Sequence, residues 1–436
     1  MPVPTVSRRQ VVAGTAAGAA LAVSGLRAPA VAATTEIVHW SWLQASDGEV
    51  WTRVIDAYNA AHKDKGTRIR MELVPEEQYR TKLLAAAASG SAPDFGWGTA
   101  GKDAELAKNG VTVPLDALAK QAGLDVADFS ANSLVASKYP KIGADLQMVP
   151  MDMMCLQPLL NVDHAHAAGL DPASPPTDGA GLMDWAAKLT KRSGDTITQS
   201  GILMTGTGLQ PAATWGIVAE QMGFRRASPD LKTACVNPEA GIAAMHWVID
   251  LFDKHKVSTR NVTDRYKAFG RGEGSIFWTG PWTLNGYKKQ GLNFTAFQFP
   301  KIGKDRFTYS EIGGLQLYAQ KDPSRHEATM QAVKWLSDNS FVWTTEGRGG
   351  SPRASILNRA DYKTSGVDWA LRGAFVEGLP YATVGEIPVP GGPDFTIYTN
   401  TGYLARTLEG VWVGKTTPEQ ALEEIRVQWQ QDLDDA

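Results

Sequence analysis

Fourteen tryptophans in a chain of 436 residues are the most distinctive chemistry the sequence carries. A sugar presents flat C–H faces and a ring of hydroxyls, so a site for one needs aromatic surfaces for the faces and amides, acids or arginines for the hydroxyls. Asp152 is an acid set among Met148, Met151, Met153 and Met154; it either accepts hydroxyl bonds from a ligand or is capped by backbone. The methionines themselves suit adaptable core packing better than metal ligation. His164-Ala165-His166 is the one close histidine pair. With no third ligand near it in sequence it reads as solvated surface, not as a zinc site. No metal and no cofactor are expected.

Nothing points to a particular enzyme. The chain has no G-x-S-x-G, no Walker phosphate loop and no H-E-x-x-H helix, the spacings that build a nucleophile elbow, a phosphate cradle or a zinc protease site. A secreted polysaccharide lyase or glycosidase is the rival class, because scattered acids and many tryptophans would suit it. Glycoside hydrolysis needs two facing carboxylates roughly 5–9 Å apart, a pair that spacing alone does not reveal. Charge sets nucleic acid aside. Lysine and arginine total 43 against 46 acids, and three of the basic residues, Arg8, Arg9 and Arg27, lie in the first 33, so the remainder is mildly acidic. That lacks the basic footprint of a nucleic-acid binder.

The amino end differs from the rest. Ser7-Arg8-Arg9-Gln10 precedes a short apolar run, Val11 to Val23, and then Ala30-Val31-Ala32-Ala33. A charged start, an apolar stretch and an A-x-A pattern make residues 1–33 a secretory signal of the twin-arginine type. The run is too short and too rich in glycine to span a membrane, which takes about 20 residues. No cysteine precedes Cys155, so no lipid-anchor thiol is expected and the mature protein reads as periplasmic or extracellular. Cys155 and Cys235 are the only two cysteines. They are expected to be buried free thiols in preference to a bridge, since a twin-arginine substrate folds before leaving a reducing compartment.

The elements that must position these groups alternate. Glu36 to Trp42 reads as a strand. A helix to about His62 follows, with Ser46 and Glu49 as a possible capping box and Val50, Val54, Ile55 and Tyr58 on one face. Arg68–Val74 is a strand, Gln78–Ala88 a helix, and Ala92–Trp97 a strand. The order β-α-β-α-β implies a parallel sheet covered on both faces, with ligands beyond the carboxyl ends of its strands. Trp40, Ser41, Trp42 and Trp97 then fall near a binding edge. A second α/β unit begins after Pro175-Pro176. Asn237-Pro238-Glu239 and Thr417-Pro418-Glu419 are helix starts.

Several segments resemble the family 1 extracellular solute-binding proteins of ABC importers. They are Leu83-Leu84-Ala85-Ala86-Ala87-Ala88-Ser89-Gly90 with Ala92-Pro93-Asp94; Pro150 through Asn161; Phe269-Gly270-Arg271-Gly272-Glu273 leading to Gly280-Pro281-Trp282; and Glu311-Ile312-Gly313-Gly314. The resemblance implies an α/β, two-lobed periplasmic-binding-protein fold whose lobes are discontinuous and joined by a multi-strand hinge. It assigns 34–150 plus 300–350 to lobe 1 and 151–299 plus 351–436 to lobe 2, with crossings near Met148–Met154, Asn293–Pro300 and Gly347–Ile356. Such a cleft closes by hinge motion.

By the same resemblance Trp282 and Gly280 belong to a sugar-stacking motif, and Trp97 stands near the position of a ligand-facing tryptophan. Gln210 takes the place of an acid, Ala212 that of a sugar-contacting aromatic, and Met154 that of a binding glutamate, so the cleft is not tuned for maltose. Gly313 lies in a matched segment. Arg348 and Arg353 occupy the third crossing, where Arg353 orders the hinge or reaches ligand; either arginine facing the cleft would suit an acidic sugar or phosphate. Tyr381 and Tyr398 are late aromatic candidates. The implied function is capture of a sugar or short oligosaccharide by a monomer and its delivery to ABC permease subunits. A non-sugar solute such as a phosphodiester or polyamine is the alternative.

Overall fold

The computed structural model describes residues 35–100, 103–139, 141–384, 389 and 403–436. The twin-arginine segment, the Ala30–Ala33 pattern and Tyr398 lie outside the described residues. Among the described residues fifteen strands run in chain order: β1 Thr35–Ser41, β2 Thr67–Leu73, β3 Phe95–Thr99, β4 Lys138–Tyr139, β5 Gly143–Leu146, β6 Val149–Cys155, β7 Gln157–Asn161 and β8 Lys191–Ser193. Then come β9 Thr196–Ile202, β10 Arg225–Ala227, β11 Ala234–Val236, β12 Gly274–Thr279, β13 Phe294–Ala296, β14 Thr308–Leu317 and β15 Ala382–Val384. Two sheets carry the fold, one ordered β15-β14-β3-β1-β2 with β6 also on β14, the other ordered β13-β7-β12-β9-β8.

β1 pairs in parallel with β2 and β3, as the alternating pattern predicts, while β14 runs antiparallel to β3 and β6. The helix Ala45–Ala61 buries Val50, Trp51, Val54, Ile55 and Tyr58 on the face turned to this sheet, the spacing of one helical stripe. Its start differs from expectation. The N-cap is Gln44, with no side-chain cap bond, and Glu49 instead pairs with Lys289 at 2.9 Å, which removes the acid that a Ser46–Glu49 capping box needs. The last helix, Pro418–Asp434, has the expected start, and Thr417 and Gln420 close a full capping box.

Each sheet owns a core. Ile37, Trp51, Ile69, Phe95, Trp97 and Trp343 anchor the first, and Leu160, Ile202, Trp215, Val248, Ile425 and Trp429 anchor the second. The chain passes from first to second sheet at Leu156, between β6 and β7, and returns between β13 and β14. The division expected at 150/151 therefore falls inside β6, which stays hydrogen-bonded to β14 through Cys155. After Trp343 the chain reaches the second lobe at Val367 and Phe375, yet β15 returns to pair with β14 before Leu404 and Leu408 rejoin the second core. The first lobe thus takes one more strand from the carboxyl part of the chain than expected. Cys155 and Cys235 are separate buried thiols. No described helix is long and apolar enough to cross a membrane.

Candidate functional site

β1 and β2 end side by side at Ser41 and Leu73, and the chain then turns into the helix Ala45–Ala61. This is the carboxyl edge of a parallel pair, where open α/β sheets place ligands. A cavity of about 580 Å³ opens here, lined among others by Leu43, Gln44, Glu49, Thr52, Arg53 and Leu73. Leu73 is 62% exposed, an apolar patch beside four polar side chains. The second lobe reaches this mouth: Lys289 pairs with Glu49 at 2.9 Å, and Asn285 donates to the Glu346 carbonyl at 2.6 Å beside the Arg53–Glu346 pair.

At the inner end of the same helix sits the most charged group of the interlobe region. Arg348 follows a π-helical turn, Trp343–Gly347. Such a turn carries an extra residue, and here it sends Trp343 into the core while Arg348 faces the opposite lobe. Its guanidinium lies 2.8 Å from Asp47 and 3.2 Å from Glu311, with the Met154 Sδ at 3.6 Å. Burial raises the Asp47 carboxyl above its ordinary range, and the Arg348 charge pulls it back. One cation against two acids leaves a carboxylate-rich cluster able to accept hydroxyl bonds.

Across from it the second lobe presents an aromatic platform. Gly280-Pro281-Trp282 follows β12, and Trp282 is half-buried. Its indole Nε1 donates to the Tyr266 hydroxyl at 3.4 Å, and its ring centroid lies 5.8 Å from the Arg348 guanidinium. A Cβ on Gly280 would fall 1.8 Å from the Trp282 ring, so glycine there is what lets the ring fold back. On the hinge side, a Cβ on Gly350 would sit 2.1 Å from the Met153 carbonyl. The third crossing needs that close approach, because the Met153 amide bonds the Gly350 carbonyl at 3.1 Å.

Of the residues singled out from sequence, Trp282, with Gly280 beneath it, stands at the meeting of the lobes. Others stand elsewhere. Trp97 is 1% exposed and packs edge-on against Trp51 and Trp343 at 4.8 and 5.0 Å, so it is core. Asp152 is fully buried, accepting from the Gly313 amide at 3.1 Å and the Trp343 indole at 2.9 Å, which resolves its two readings in favour of capping. Burial pushes its carboxyl up to about 7. Gly313 is a packing position, since a Cβ there would meet Asp152 and Trp97. Ser41 is buried and accepts from the Leu43 amide at 3.2 Å. Trp40 and Trp42 do share a face, half-buried, and both pack edge-on against Tyr79, with the Trp40 indole held by Glu72.

Gln210 ties the end of its strand to its helix, accepting from the Thr205 amide and donating to the Leu203 carbonyl. Arg353 is locked by Asp128 at 2.7 Å and Asp338 at 2.6 Å, and so orders the hinge. Tyr381 bonds Gln157. His164 pairs with the Ser275 hydroxyl at 3.0 Å. A glycine pattern of phosphate-cradling spacing, Gly96-x-Gly98-x-x-Gly101, does occur, but Gly96 and Gly98 lie inside β3, not on a turn before a helix. Sequence reasoning missed Asp47 and the cavity residues Gln44, Glu49 and Arg53. The only available signal was their place just after the first strand.

Comparison with known proteins agrees with this architecture. The profile of the bacterial extracellular solute-binding proteins matches residues 53–344. No curated protein matches the chain. Among solved structures, an ABC substrate-binding protein of Listeria monocytogenes, in complex with cycloalternan, is 18% identical with a TM-score of 0.75, covering 92% of this chain and 99% of that one. The GacH receptor of Streptomyces glaucescens, solved unliganded and with acarbose, is 19% identical with a TM-score of 0.76, covering 92% and 98%. The maltose/maltodextrin-binding domain of Bdellovibrio bacteriovorus, bound to maltotriose, is 17% identical with a TM-score of 0.74, covering 92% and 100%. Two lobes, two cores, a hinge of several strands and a polar–aromatic junction between them thus accompany a profile match over most of the chain, and the protein belongs to the bacterial extracellular solute-binding proteins.

Proposed function

We propose that the protein is the substrate-binding component of an ABC importer and captures a sugar or short oligosaccharide between its lobes. The observation that carries this is Trp282, a half-buried indole facing the Asp47–Arg348–Glu311 cluster across the junction. An aromatic face opposite hydroxyl-accepting carboxylates is what a sugar ring requires. The neighbouring structures, whose bound ligands include cycloalternan, maltotriose and acarbose, support the same ligand class. Export, a monomeric state, hinge closure and delivery to permease subunits complete the reading, and the protein binds its ligand without transforming it.

Affinity near the micromolar range, about −8 kcal/mol, is expected. The test is thermal unfolding of residues 34–436 against neutral sugars, acidic sugars, sugar phosphates, oligosaccharides and polyamines, with recovered ligand analysed afterwards. Binding to the folded state raises stability by about 2.7 kcal/mol at a hundredfold excess over Kd. A shift with one sugar class and unchanged ligand supports the reading. A shift only with polyamine or phosphate, or consumption of the sugar, overturns it.

A further inference from the structure

The guanidinium groups described near the junction differ in their partners, and Arg372, which also lacks a carboxylate, is fully buried with its donors spent on the carbonyls of Gly349, Tyr362, Ser365 and Val367. Arg348 is held between Asp47 and Glu311, and Arg53 pairs with Glu346. Arg265 has no acidic partner among the described residues. It is half-buried, lies with its guanidinium 4.6 Å from the Tyr266 ring centroid, and donates from Nη2 to the Tyr266 hydroxyl at 3.1 Å. That hydroxyl is the one that accepts from Trp282. The neighbouring Asp264 is occupied elsewhere: it caps the amides of Tyr266 and Lys267 and pairs with the Lys267 ammonium at 3.1 Å.

Arg265 also sits at the right edge of the second sheet. β9 and β12 are parallel, and the short helix Arg265–Gly270 leads into β12. Its first residues therefore lie at the carboxyl ends of these strands, level with Trp282. The order across the junction is Asp47 and Glu311, then Arg348, then the Trp282 ring, then Tyr266, then Arg265. Acceptors stand at one end, an aromatic face in the middle, and at the other a donor fork that has no described carboxylate partner and stacks on an aromatic ring.

We propose that Arg265 is a specificity-determining residue and that the ligand is an acidic sugar, a uronic acid or short oligouronide. Its ring stacks on Trp282, its hydroxyls donate to Asp47 and Glu311, and its carboxylate pairs with Arg265. A guanidinium meets a carboxylate with two parallel hydrogen bonds, which neither an ammonium nor an amide reproduces. The carboxylate must point toward the second lobe, because the other end of the array already carries one more acid than base. The inference rests on the sugar-binding reading above and names the class within it.

The experiment is calorimetric titration of the intact mature chain with matched pairs: oligomers of glucuronate, galacturonate and mannuronate, each beside its neutral glucose, galactose or mannose counterpart. A preference of at least about tenfold for the acid member of one pair is expected, shrinking as salt rises. In Arg265→Gln that preference collapses toward unity, and in Arg265→Lys part of it survives. Equal affinity within each pair, binding of neutral members alone, or an equal loss for both members in Arg265→Gln overturns the inference while leaving a sugar-binding protein. Failure of every sugar overturns the broader reading as well.

Discussion

Trp97 and Trp282 are the same residue type, each near the carboxyl end of a strand, and the fold uses them oppositely. Trp97 lies within β3, where alternation turns it inward against Trp51 and Trp343. Trp282 lies three residues past the end of β12, where no strand dictates its direction and Gly280 clears room for the ring. The first lobe packs Trp51, Trp97 and Trp343 into a nest tied to Asp152 on the hinge strand. The second holds Trp282 half-buried at the junction, 5.8 Å from the Arg348 guanidinium of the other lobe.

The comparison breaks most sharply at Trp97. Trp97→Ala should cost about 3–5 kcal/mol of stability by leaving a cavity in a close-packed core, read in a denaturant melt. A small effect there would deny the nest its structural role. Trp282→Ala should leave the melt nearly unchanged but weaken sugar binding at least about tenfold. Gly280→Ala should weaken binding similarly by displacing the same ring, and unchanged affinity in both variants would return Trp282 to the core.

Two buried titratable groups sharpen the contrast through pH. Asp152 has a folded value of about 7 against about 3.9 unfolded, so the folded state holds the extra proton between them. Its contribution falls as pH rises from about 4 to 7 and is flat above. His39, whose Nε2 accepts from the Trp51 indole at 2.9 Å, is lowered by burial to about 3, against about 6.5 unfolded. Its contribution is lost as pH falls through that window. Melting temperature followed from pH 3 to 8 should therefore lose its falling component in Asp152→Asn and its rising component in His39→Gln. Parallel profiles in both variants would contradict the burial of these groups. The smallest effect belongs to the mouth of the cleft. Glu49→Gln should change sugar affinity by no more than about threefold at low salt and not at all at high salt, because an exposed pair is weak and screened.

Much of the scaffold was legible. The β-α-β-α-β opening, the stripe Val50–Val54–Ile55–Tyr58 and the start at Thr417 follow from periods of two and 3.6 and from cap chemistry, all local in sequence. Of the junction, the sequence pointed to Gly280-Pro281-Trp282, a rigid local motif, and to Arg348 on the third crossing. Asp152 stood out in the sequence and Asp47 did not, and Arg353 looked as suited to ligand as Arg348; most of their partners lie dozens to hundreds of residues away, and local pattern holds no record of them.

The sequence by itself determined the alternation of elements, the two-part organisation and the stock of aromatic and polar groups, because these depend on neighbours within one or two turns. Only the tertiary structure decided which tryptophan faces the other lobe, which acids are consumed by hinge arginines and that Arg265 has no acidic partner among the described residues. Those outcomes depend on burial and pairing between distant segments. In a buried setting, the free energy of a charge or an indole is governed by what comes to lie against it.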